Sequence, residues 1–140
     1  NVKGFTVMVG TMFNYMAANL GGDIAVISSV AGTKGLGAAP SYSASKAYQN
    51  TYIQALEQLS NMRRLHIRFT DIRPGFTDTD LLAGCGRYPM LMDKTAVARH
   101  IVRAIYAHRH VCVIDWRYRI LVAAWRILPN WLWRKLNIHS

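Results

Sequence analysis

Cysteine is scarce. Cys85 and Cys112 are the only two in 140 residues, far apart and in no metal-type spacing. One pair at most excludes a disulfide scaffold, and reduced thiols in a cytoplasm are the default. No apolar run approaches the ~20 residues needed to span a bilayer. Charged residues make up only 17% of the chain against 51% hydrophobic, a balance that excludes intrinsic disorder and allows a sizeable core. The opening Asn-Val-Lys-Gly lacks a Met and a charged-then-apolar-then-small layout. We therefore expect no signal peptide, and expect that residue 1 is not the natural start. Repeats, low-complexity stretches and linkers are also missing, so residues 1–140 read as one domain.

Acidic residues are few, and the imbalance is uneven. Residues 1–98 carry nine Lys/Arg and six Asp/Glu, a net +3, whereas residues 99–140 carry eight and one, a net +7. A basic C-terminal third fits an anionic contact: a phosphate-bearing cofactor, an anionic lipid surface or nucleic acid. On charge alone a solvated basic face is favoured.

The pattern along the chain predicts a helix over 4–20, stopped by Gly21-Gly22-Asp23. Ile24–Ile27 reads as a strand buried on both faces. A small-residue loop, 30–40, leads to Ser41 as cap of a helix over 42–62 with Ala44, Ala47, Tyr48, Ile53 and Leu56 on its apolar positions. A strand over 65–72 stops at Arg73-Pro74-Gly75. An irregular stretch, 76–92, precedes a helix from Asp93 to about His108, a strand over 111–114 and a helical tail over 116–136 broken at Pro129. This alternation predicts an α/β fold: a parallel sheet with helices on both faces. Three strands are few for such a fold, so the domain reads as incomplete.

Tyr42 and Lys46 stand four apart at the start of a helix, on one face. A free Tyr has a pKa near 10, and a neighbouring ammonium favours its phenolate. Such a pair can move a proton on or off a substrate oxygen. The pair alone is a weak signal, because seven Tyr and five Lys give about one chance match in four such sequences. Its surroundings make it specific. It stands in SYSASKAYQN, and Ser29 lies 13 residues earlier, where the strand IAVI ends. In parallel sheets that end is where ligands bind. A Pro-Gly segment, IRPGFTDT, follows the next strand, and Asn1 lies 28 residues before Ser29.

With these four spacings the chain up to about Ile114 resembles the C-terminal half of a short-chain dehydrogenase/reductase. The resemblance implies a Rossmann-type doubly wound fold and an NAD(P)(H)-dependent alcohol–ketone oxidoreductase. It implies Tyr42 as general acid in reduction and base in oxidation. Lys46 would lower the Tyr42 pKa and bind the nicotinamide ribose. Ser29 would orient the substrate oxygen, and Asn1 would hold a water in a proton relay. The segment from Pro74 and Gly75 through Thr77 to Thr79 would line the nicotinamide. Residues 76–92 would form a substrate lid, whose Leu81, Tyr88 and Met90, with Leu82, Leu91 and Met92, suit a lipophilic substrate. The family's glycine-rich phosphate loop would precede Asn1. The glycines of AGTKGLG follow the Ser strand instead, so tight dinucleotide binding is not expected of this chain alone and the choice between NAD and NADP stays open. Helices 4–20 and 42–62 would pair across the axis of a homodimer or tetramer.

The tail WRYRILVAAWRILPNWLWRKL has four Trp and five basic residues in 21 positions, the pattern of a helix lying in a membrane interface. Closure over the substrate and subunit contact are the competing readings, and nucleic-acid stacking is disfavoured. The expected location is cytoplasmic, peripheral at a membrane in the first of these readings. His108 and His110 lack a third ligand nearby and read as a helix-end pair rather than a metal site. Ser28 points away from Ser29 and reads as a support. Two other classes stay open: a non-catalytic binding module of the same fold, and a membrane-surface interaction protein built on the tail. The intact Asn-Ser-Tyr-Lys set argues against the first.

Overall fold

A computed structural model describes residues 1–75 and 92–136. The chain order is α1 (Lys3–Ala18), β1 (Gly22–Ile27), a 3₁₀ turn (Val30–Thr33), α2 (Pro40–Met62), β2 (Ile67–Arg73), α3 (Lys94–Tyr106), β3 (Val111–Val113), α4 (Trp116–Ile127) and the short α5 (Asn130–Trp133). The strands form one sheet in the order β1-β2-β3, and both pairings are parallel. This is the α/β arrangement expected from the alternation of periods.

Two apolar clusters hold the layers together. In the first, Val9 and Phe13 of α1 and Ile53 and Leu56 of α2 pack on Ile24 and Val26 of β1 and on Ile67 and Phe69 of β2. The four-residue step from Phe5 to Val9 to Phe13 turns one stripe of α1 toward the sheet. Each such large side chain, once buried, stabilises by about 1.5–3 kcal/mol. Ile72 is out of step with Phe69 and so points to the opposite face. There it joins Val30, Met92, Val97 of α3, Ile114 and the α4 residues Tyr118 and Val122. Helices thus lie on both faces.

Several expectations are corrected. β1 is not buried on both faces: Asp23, Ala25 and Ile27 are exposed while Ile24 and Val26 are buried. Among the described residues β2 is its one partner strand, and α1 and α2 cover one of its faces. Ser41 is not the cap of α2. The helix begins at Pro40, with Ala39 at the cap position and no side-chain cap bond, because proline's fixed φ and missing N–H suit a first helical position. The buried side of α2 near its start is also polar rather than apolar: Ser43, Gln49 and Asn50 are buried while Ala44 is exposed. Asp93 does cap α3, its carboxylate accepting from the Ala96 N–H at 2.8 Å. The tail is helical on both sides of Pro129.

Candidate active site

The site forms where β1 and β2 end. Ser28 N–H donates to the Ile72 carbonyl at 2.8 Å, and Val30 N–H donates to the Pro74 carbonyl at 3.2 Å. The chain after β1 therefore stays paired with the chain after β2, and Ser29 and Pro74 lie at one sheet end. Ser29 is buried and caps the 3₁₀ turn, its Oγ accepting from the Ala31 N–H at 3.1 Å. An accepting hydroxyl keeps its own O–H for donation to another oxygen.

α2 brings the basic group to the same place. Lys46 Nζ donates to the Ile27 carbonyl at 3.3 Å and to Gln49 Oε1 at 3.1 Å, and lies 5.8 Å from the centre of the Tyr42 ring. Tyr42 is 46% exposed. Close approach of α2 to the turn after Ser29 requires a glycine. A Cβ on Gly32 would lie 2.5 Å from the Lys46 backbone carbon and 2.6 Å from Asn50 Nδ2. Gly75 is tight for the same reason: a Cβ there would stand 2.1 Å from the Tyr118 ring, which ties the Pro-Gly segment to α4.

Asn1 is connected to the set through a residue the sequence did not single out. Buried Gln49 donates from Nε2 to the Asn1 backbone carbonyl at 3.2 Å while its Oε1 accepts from Lys46. The link runs Lys46–Gln49–Asn1 and uses the main chain of Asn1. The i, i+3 step from Lys46 to Gln49 was the available signal, but a Gln on a helix is ordinarily solvated.

A second unforeseen group acts on Lys46 through its charge. Asp71 is 2% exposed. Its carboxylate accepts from Ser28 Oγ and from Arg73 Nε and Nη2, the last two at 2.8 and 2.6 Å. Ser28 is thus a support residue, as its orientation implied. Burial pushes the Lys46 ammonium below the usual lysine range, and the Asp71 charge draws it part of the way back. The arrangement can hold a cation beside a tyrosine at the end of a parallel sheet. Thr77, Thr79, Leu81, Tyr88 and Met90 lie outside the described residues. His108 and His110 face Asp23 and Glu57 respectively.

A family model of short chain dehydrogenases matches residues 1–87, well over half of the chain. The chain belongs to the short-chain dehydrogenase family. Its curated relatives include an uncharacterized oxidoreductase of Myxococcus xanthus, 28% identical over 132 residues, covering 93% of this chain and 51% of the relative. An uncharacterized oxidoreductase of Mycobacterium tuberculosis is 29% identical over 115 residues, covering 82% of this chain and 45% of its own. A crystal structure of a short chain dehydrogenase from Burkholderia cenocepacia in complex with NADP superposes with a TM-score of 0.79 at 18% identity, covering 97% of this chain and 55% of that one. The fold is therefore that of the dehydrogenases, a partial Rossmann-type α/β domain, and this chain spans about half the length of the relatives it matches.

Proposed function

We propose that this short-chain dehydrogenase chain supplies the proton-transfer half of an NAD(P)(H)-dependent oxidoreductase interconverting an alcohol and a ketone or aldehyde. The observation that carries the reading is the placing of Lys46, whose ammonium stands between the Tyr42 ring and the Ile27 carbonyl, two residues before Ser29. In reduction Tyr42 gives its proton to the substrate oxygen, and the Lys46 cation stabilises the negative charge left on the phenol oxygen. Ser29 donates its O–H to the same substrate oxygen and fixes its direction. Gln49 holds the Lys46 ammonium through its Oε1 and is itself anchored on the Asn1 carbonyl, which keeps the cation in place beside Tyr42; a water held near Asn1 would replace the proton.

The donor set fits a nicotinamide cofactor, NAD or NADP. Lys46 has three N–H protons and commits two to Ile27 and Gln49, which leaves one for a ribose hydroxyl. When bound, the cofactor supplies the hydride. Pro74 and Gly75 stand beside the Ser29 turn, where they would border it; Thr77 and Thr79 follow them in the sequence and complete the segment that the family likeness assigns to the nicotinamide. The apolar segment 81–92, with Leu81, Tyr88 and Met90, supports a lipophilic carbonyl substrate. Measured on the full-length protein, NADPH or NADH oxidation should depend on an added lipophilic ketone or aldehyde. Cofactor binding by calorimetry without any carbonyl-dependent turnover would favour the non-catalytic binding module instead.

The exposed side of α1 supports a homodimer or tetramer. Met8, Met12 and Tyr15, at i, i+4 and i+7, are all exposed on the side away from the sheet. Met12→Asp should lower the sedimentation mass of the full-length protein toward the monomer; an unchanged mass would mean that α1 is not the contact. Among the described residues no helix is long and apolar enough to cross a membrane. The tail supports a peripheral location at a membrane, with the catalytic site on the cytoplasmic side.

A further inference from the structure

α4 has two apolar sides, and among the described residues one of them packs on the core. Tyr118, Val122 and Trp125 face inward onto the second core cluster. Trp116, Ile120, Ala123 and Ile127 recur at i, i+4, i+7 and i+11, which is one stripe of a helix. All four are exposed, Trp116 at 66%, Ile120 at 61% and Ile127 at 82%.

The four tryptophans divide in the same way. Trp125 Nε1 donates to Thr33 Oγ1 at 2.9 Å and Trp133 Nε1 to the Gly35 carbonyl at 2.7 Å, so these two pin the tail to the loop after Ser29. Trp116 and Trp131 stay exposed, and Lys135 lies over the Trp131 ring at 6.0 Å.

From these positions we infer that the outer stripe of α4, with Trp131, docks the protein on an anionic lipid surface. Charge selects this occupant. Residues 116–136 carry five Lys/Arg and no Asp/Glu. Arg119 and Arg126 flank the stripe on one side, whereas Arg117 on the other is paired with Asp115 at 2.6 Å and contributes less. A second copy laid on the same stripe would bring like charges together, while anionic headgroups would complement them. Exposed tryptophan beside arginine and lysine matches the headgroup layer, where an indole has both an apolar body and an N–H to satisfy. Lys34 also donates to the Leu128 carbonyl and to Asn130 Oδ1, at 3.0 and 2.8 Å. The Ser29 loop is thereby tied to the inward side of the docked tail.

The inference narrows the peripheral-membrane reading of the tail to one helix face, and it is independent of the chemistry assigned to Tyr42. The test is co-sedimentation of the full-length protein with vesicles of phosphatidylcholine alone or with added phosphatidylglycerol. Binding is expected only with phosphatidylglycerol. Ile120→Glu should weaken it by at least about tenfold, and Arg119→Gln and Arg126→Gln by roughly fivefold for each charge removed. Absence of binding to the anionic vesicles, equal binding to both compositions, or undiminished binding of Ile120→Glu would each overturn the inference. So would a fall in sedimentation mass caused by Ile120→Glu, which would show the stripe covered by a second copy. NADPH binding measured on the same variants reports separately on the oxidoreductase reading.

Discussion

Replacing Tyr42 by Phe in the full-length protein is expected to lower carbonyl-dependent turnover by about 10²–10⁴-fold, the usual contribution of a positioned general acid, while cofactor affinity changes little. The substitution removes one oxygen from a ring that is nearly half exposed at the start of α2, so the helix and its packing should persist. Lys46 would keep its bonds to Ile27 and Gln49. The two readouts separate the roles: turnover reports the proton, and binding reports the ribose contact. Unchanged turnover would mean that another group gives the proton. Equal loss of cofactor binding and turnover would mean that Tyr42 serves chiefly to bind.

Asp71→Asn is expected to cost about 3–5 kcal/mol of stability in chemical denaturation, the range found when one partner of a buried ion pair is removed. Arg73 has a side chain only 15% exposed and places both of its donating nitrogens on one Asp71 oxygen. An amide in that position leaves the guanidinium buried without a counter-charge. Asp71→Asn combined with Arg73→Leu should regain part of the loss, because it removes the stranded charge. A second consequence follows at Lys46. Burial holds its ammonium below the lysine range and Asp71 opposes that shift, so Asp71→Asn leaves burial unopposed and moves the Lys46 titration to lower pH. The midpoint of its acylation by an amine-reactive probe, followed against pH by mass spectrometry, should fall accordingly. A cost no larger than the ~1 kcal/mol of a surface pair, with an unmoved midpoint, would show that Asp71 carries no such charge.

Much of the fold was legible in the sequence because its elements are periodic. The four-residue step of Phe5, Val9 and Phe13, the short apolar runs ending at Ile27 and Val113, and the Asp93 cap are local signals. Each depends on residues a turn or a strand apart. The Tyr42–Lys46 pair was legible for the same reason, since α-helical geometry alone puts positions four apart on one face.

Other features arise where local rules compete with neighbours. Proline at the first helical position displaced Ser41 as the start of α2. Asn50 is packed against the 3₁₀ turn and Gln49 is bonded to Asn1, contacts that no pattern within α2 reveals. Asp71 and Arg73 look like an ordinary polar alternation at a strand end until Ser28, 43 residues earlier, is brought onto the carboxylate by the register of β1 on β2.

The sequence by itself determined the family, the parallel α/β plan and the placing of Ser29, Tyr42 and Lys46 at helix and strand ends, because those follow from spacing along the chain. Only the tertiary structure decided that Gln49 joins Lys46 to Asn1, that Ser28 and Arg73 hold a buried carboxylate whose charge acts on the lysine, and which side of α4 stays exposed. Those are contacts between segments tens of residues apart, and they are set by how the layers pack.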